Sequence, residues 1–201
     1  MKRHINFLLI CFIPLLLSIT VPPSWQLKKD DNGIQIYTRK IDGSNFKEYK
    51  AETYINASVD EVVNELLYRA PNYTPSYEYG INYLIEEKVG GQRVYYAKHK
   101  MPWPLKDRDV VSTIEVVARN ATSAKIEIHA TPEKFKYDEN VIRIKNIKGY
   151  WLVERFDKGV KLTQQLHLDP RGNIPAFVSN SFILKGPFKL FSELKSKLDS
   201  I

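Results

Sequence analysis

The stretch Ile174-Pro-Ala-Phe-Val-Ser-Asn-Ser-Phe-Ile-Leu-Lys-Gly-Pro-Phe-Lys-Leu-Phe-Ser-Glu-Leu-Lys-Ser-Lys-Leu198 decides the fold. Ile174, Phe177, Val178 and Phe182 recur at helical spacing. After Gly186-Pro187, residues Phe188, Phe191, Leu194 and Leu198 share one face opposite Lys189, Glu193, Ser196 and Lys197. This reads as one long amphipathic helix, kinked at Pro187, whose apolar stripe needs a cover. Upstream, strands are predicted over 34–41, 46–55, 81–89, 92–100, 108–119, 123–131, 141–147, 150–156 and 160–168. Asp42-Gly43-Ser44, Gly90-Gly91, Asn120 and Asp157-Lys-Gly159 punctuate them. Ala124, Ile126, Ile128 and Ala130 alternate with Lys125, Glu127, His129 and Thr131, so the sheet has a dry face and a wet one. Trp25-Gln-Leu-Lys-Lys29 reads as a short helix. Ser58-Val-Asp-Glu61 has the capping-box pattern and opens a helix that Pro71 stops near Ala70. About nine antiparallel strands with one dry face, and a single long apolar helix to cover it, require an α+β fold in which the sheet curls round the C-terminal helix. One helix does not fill such a concavity, so an internal cavity is expected.

The N-terminus reads differently. Lys2 and Arg3 precede a short apolar run from Phe7 to Ile19 that Pro14 interrupts, the pattern of a signal peptide cleaved near Thr20. Residues 1–20 are thus expected to be the signal (a membrane anchor if uncleaved), and 21–201 one domain outside the cytoplasm, periplasmic or secreted. The one cysteine, Cys11, lies inside that run, so the remaining domain has no thiol or disulfide chemistry and relies on its core. The 201 residues carry 30 Lys plus Arg against 23 Asp plus Glu, a formal charge of +7 that falls to +5 without Lys2 and Arg3. The excess is scattered, which suits transient contact with an anionic membrane surface and argues against nucleic acid.

Strand parity nominates an apolar wall: Ala97 and Met101; Val110, Ile114 and Val116; Ile126 and Ile128; Ile142 and Ile144; Leu162, Leu166 and Leu168. All face a helix carrying Phe177 and Val178. Polar residues on the same parity are Tyr95 and His99, Ser112, Asn146, Gln164 and, on the helix, Ser181. Each needs a partner, either another side chain, a water or a ligand head group. Arg108, within Asp107-Arg-Asp109, is read as a charge anchor for a ligand or as the partner of a neighbouring carboxylate.

Met101-Pro-Trp-Pro-Leu-Lys-Asp-Arg-Asp-Val110 and Leu168-Asp-Pro-Arg-Gly-Asn-Ile-Pro-Ala-Phe-Val-Ser-Asn180 together resemble the START domain, the lipid-transfer module related to steroidogenic acute regulatory protein. Trp25-Gln-Leu27, Gly33 to Arg39, Gly43 to Lys50 and Ser58 to Val62 match in order, and the resemblance covers nearly all of 22–200. It implies a helix-grip fold with a lipid-sized tunnel, a non-catalytic role in binding and transferring lipid, and a gate formed by the last helix and adjacent loops. Counted without gaps from Arg108, the positions where a sterol-binding subgroup places its Glu and Arg hold Tyr95 and Ile114. That departure sets the chain apart from the sterol-binding subgroup, and a neutral, uncharged interior would favour a fatty acyl chain, an isoprenoid or a similarly apolar ligand.

Helix-grip relatives also include enzymes, for which Tyr95 and His99 on one strand face are the acid/base candidates. No metal-ligand spacing, nucleophile elbow or phosphate-cradling loop occurs, so no metal and no cofactor is expected, and the chain is read as a monomer.

Overall fold

The structure is a computed structural model that describes residues 24–69, 81–88, 91–175, 178–179 and 181–199. The strands are β1 (Gln26–Asp31), β2 (Ile34–Arg39), β3 (Glu48–Ile55), β4 (Ile81–Glu87), β5 (Arg93–His99), β6 (Arg108–Arg119), β7 (Ser123–Ala130), β8 (Ile142–Ile144), β9 (Asn146–Phe156) and β10 (Gly159–Asp169). They form one curved sheet in the order β1-β2-β3-β10-β9-β7-β6-β5-β4, with β8 added beside β6. Helix α1 (Val59–Asn64) follows β3, and helix α2 (Gly186–Leu198) closes the described chain.

The capping box at Ser58 forms. The Ser58 hydroxyl accepts from the Glu61 amide and the Glu61 carboxylate accepts from the Ser58 amide. Helix α1 then widens into a π-helical turn over Glu65–Arg69. Phe191, Leu194 and Leu198 of helix α2, all fully buried, and Val59, Val62 and Val63 of α1 share one core cluster with Ile34, Ile36, Ala51, Ala124, Ile126, Val153 and Leu162, α2 lying chiefly on β2 and β3 and α1 on β7 and β9. Each such side chain contributes roughly 1.5–3 kcal/mol relative to exposure, so this layer holds one end of the concave face shut.

Several expectations are corrected. Trp25–Lys29 is not a helix, because Gln26–Asp31 turns back through Asn32-Gly33, both at positive φ, to pair with β2 as an edge strand. The predicted strand 141–147 is two strands: β8 runs parallel to β6, and β9 begins afresh at Asn146 against β7 and β10. The count is therefore ten among the described residues, and not all are antiparallel. The break coincides with a buried ion pair. Arg143 donates to both oxygens of Asp109 at 2.8 Å and also to the carbonyls of Pro132, Phe135 and Lys136, pinning β8 to β6. The last helix is shorter than its periodicity: Ile174 and Pro175 are not helical, and Ser181–Lys185 is a π-helical turn. Pro187 sits in the first turn of α2, directly after this π-helical turn, so the helix is irregular on the N-terminal side of the proline.

Candidate functional site

The ladder registers sort the concave face into rows. One row runs Val116, Ile126, Trp151, Gln164, Ala51 and Ile36 across six strands. The next, one step further from the covered end, runs Ile114, Ile128, Gly149, Leu166, Tyr49 and Thr38. Beyond it lie Ser112 beside Ala130, and Ile147 beside Leu168. In the first of these rows Ile126, Trp151, Gln164, Ala51 and Ile36 are buried, and Phe191 stacks on Trp151. In the following rows Ile114, Ile128, Leu166, Ser112, Ile147 and Leu168, although they point to the same concave side, are only half-buried. An inward-facing aliphatic side chain that stays accessible lines space. Gly149 is where Leu166 crosses the row: a Cβ there would stand 2.5 Å from Leu166 Cδ1 and against the Gln165 carbonyl, so no side chain fits.

Tyr95, Ala97 and His99 share the concave side of β5 and pair with Ser112, Val110 and Arg108 on β6, so the parity reading brings these together. Their polar groups are used unevenly. The Tyr95 hydroxyl donates to the Leu67 carbonyl of the π-helical turn at 2.8 Å, and burial, opposed by Arg93 and reinforced by Glu87, pushes its pKa up to about 12. Arg108 is buried and, among the described residues, forms no salt bridge with a carboxylate. Its guanidinium donates to the carbonyls of Lys106, Pro170 and Arg171, and burial lowers its pKa. The expected carboxylate pairing falls instead to its neighbour Asp109, which holds Arg143. Arg108 thereby ties the Pro-rich loop after β5 to the loop after β10. The Ser112 hydroxyl has no hydrogen-bond partner among the described residues. Gln164 is buried and accepts from the Tyr49 hydroxyl at 2.7 Å.

Asn146 lies elsewhere. Parity continued from Ile144 placed it inside, but the break between β8 and β9 leaves it exposed, lining an outer groove with His129, Lys145, Lys148 and His167. Val178 is buried. Phe177 falls outside the described residues, and Ser181 is placed only by its backbone, at the start of the π-helical turn.

Three inward-facing residues escaped the sequence reading. Arg93, 2% exposed, lies two positions before Tyr95; it bonds Glu87 at 2.5 Å and lies under the ring of Tyr68. The concave side of β5 therefore carries a charged side chain at this end, paired with Glu87. Its signal was available, since it shares the parity of Tyr95. Tyr49 and Thr38 are the other two.

No family model matches the chain. Among solved structures it is similar to the STAR-related lipid transfer protein of Xanthomonas axonopodis, at 28% identity over 87% of this chain and 98% of that one, with a TM-score of 0.74. Among curated proteins it is 28% identical to an uncharacterised Pseudomonas aeruginosa protein, covering 86% of this chain and 85% of that protein. It is 26% identical to the phosphatidylcholine transfer protein of Rattus norvegicus, covering 78% and 75%. A curved, largely antiparallel sheet gripping a C-terminal helix is the helix-grip architecture, and in fold the chain is similar to the START-type lipid transfer domains.

Proposed function

We propose that this domain binds a hydrophobic lipid between the concave sheet and the C-terminal helix and transfers it between membrane surfaces without chemical change. The observation that carries the reading is the change of burial along one face: Ile126 and Val153 are fully buried beneath the helices, while Ile114, Ile128, Leu166, Ile147 and Leu168 are only half-buried. An apolar wall of this kind yields roughly 25 cal/mol for each Å² of ligand surface it removes from water. The lipid-transfer relatives named above support the same reading. Tyr95 does not favour catalysis, since its hydroxyl is spent on Leu67 and its pKa stands far above neutrality.

The membrane contact is proposed at the loop between β5 and β6. Trp103 is 93% exposed between two prolines, with exposed Lys100 and Lys106 on either side. A rigidly presented indole flanked by ammonium groups fits an anionic lipid interface. The loop stands at the same end of β5 and β6 as the half-buried rows, where a ligand would enter. Export of the domain as a monomer, after cleavage near Thr20, completes the proposal; N-terminal sequencing of the mature protein from cell fractions tests it.

Native mass spectrometry of protein purified from its own host should show a co-purifying lipid. Purified protein should move a fluorescent phospholipid or fatty acid analogue between vesicles. Absence of both, across neutral and anionic vesicles, would overturn the transfer reading.

A further inference from the structure

At the floor of the half-buried region the concave wall carries a short polar stripe: Thr38 on β2, Tyr49 on β3 and Gln164 on β10. Thr38 pairs with Tyr49 in the ladder, and the Tyr49 hydroxyl reaches diagonally to Gln164 Oε1 at 2.7 Å. The three residues are 2%, 6% and 5% exposed. Among the described residues the Thr38 hydroxyl and the Gln164 amide nitrogen have no hydrogen-bond partner. Buried donors left in this state are costly, and the neighbours that would otherwise compensate them, Ile36, Ala51, Leu166 and Trp151, are apolar.

A hydrogen inventory sets the chemistry. With Tyr49 donating to Gln164, the two amide hydrogens and the Thr38 hydroxyl hydrogen are unused. With the amide turned over, one amide hydrogen and both hydroxyl hydrogens are unused. Either arrangement leaves three hydrogens on uncharged groups. Burial raises the Tyr49 pKa, so the phenol keeps its proton.

We infer that Thr38, Tyr49 and Gln164 form a neutral donor clamp that takes the carbonyl of an ester or amide lipid, seated head-first at the floor of the cavity. The inference rests on the proposed binding of lipid in this space and names the polar group that the ligand presents there. A hydrocarbon leaves the three hydrogens unpaired. A carboxylate accepts them but enters without a counter-charge at the stripe.

The test uses the purified domain with three probes of equal chain length, methyl palmitate, palmitate and hexadecane, competing against a fluorescent acyl reporter. Wild type should bind the methyl ester roughly five- to tenfold more tightly than the alkane, and more tightly than the carboxylate. Gln164→Leu and Thr38→Val should each erode the preference for ester over alkane while leaving alkane binding unchanged or tighter. Tyr49→Phe, which keeps the ring, serves should the leucine variant not fold. Binding of palmitate above its ester, or an ester preference unchanged in all three variants, overturns the clamp but leaves lipid binding standing. Failure of wild type to bind any of the three probes overturns the clamp together with the reading beneath it.

Discussion

Trp151 of β9 and Phe191 of α2 stack with ring centroids 5.5 Å apart and an interplanar angle of 21°, and they mark where the filled core ends. On one side of the pair lie Val153, Leu162 and Ala124, fully buried in one cluster with Leu194 and Leu198; on the other begin the half-buried Ile128 and Leu166. Phe191 is fully buried, so Phe191→Ala removes a large side chain from a site that the rigid sheet cannot collapse onto. The expected loss is about 3–5 kcal/mol of unfolding free energy. Urea titration followed by tryptophan fluorescence measures it, and a loss under 1 kcal/mol would mean that the helix is not held through this contact.

The Arg143–Asp109 pair should behave as a buried ion pair. Both side chains are almost fully shielded, and the guanidinium also satisfies three backbone carbonyls. Arg143→Met leaves Asp109 charged and unpartnered in the interior, at a cost of about 3–5 kcal/mol. Adding Asp109→Leu to that variant should recover part of the loss. A double-mutant cycle in urea reads the coupling, and additive single losses would contradict it.

The limits of sequence reading show in particular residues. The bounds of β6 and the Ser58 box were legible because alternation and capping chemistry are local signals. So was the shared face of Tyr95, His99 and Ser112, which follows from period two alone. β1 carries no alternation, being an edge strand exposed along nearly its whole length, and so its sequence alone reads as a helix. Asn146 was misplaced because the chain changes partner between Ile144 and Asn146, and a slip of one residue moves a side chain to the opposite face. The partners of Arg108 are backbone carbonyls contributed by Pro170 and Arg171, and no residue type announces a carbonyl.

Trp103 separates stability from transfer. Being 93% exposed, it contributes little to folding, and Trp103→Ala should change the unfolding free energy by less than about 0.5 kcal/mol. If the indole enters the interface during delivery, its loss should slow vesicle-to-vesicle transfer and weaken vesicle binding by roughly tenfold. Sedimentation with anionic vesicles, run beside a thermal melt, reads both. An unchanged transfer rate would move the membrane contact away from this loop.

Asp199 gives a pH dependence of defined sign. It caps α2 and joins it to the start of α1: its carboxylate accepts from the Asn56 amide at 2.8 Å and lies 3.0 Å from Lys195 Nζ. Burial pushes its pKa up, but the Asn56 amide and Lys195 outweigh burial and hold it below the ordinary 3.8. A carboxylate whose folded pKa is depressed contributes stability above its unfolded pKa and loses it as pH falls through the folded value. Asp199→Asn should therefore melt below wild type at pH 7, and the two curves should converge as acidification passes below the ordinary carboxylate range. Calorimetry of both proteins across that range checks the sign. A deficit in the asparagine variant that persisted undiminished into acid would show that geometry at the cap, and not the charge, ties the helix to the sheet.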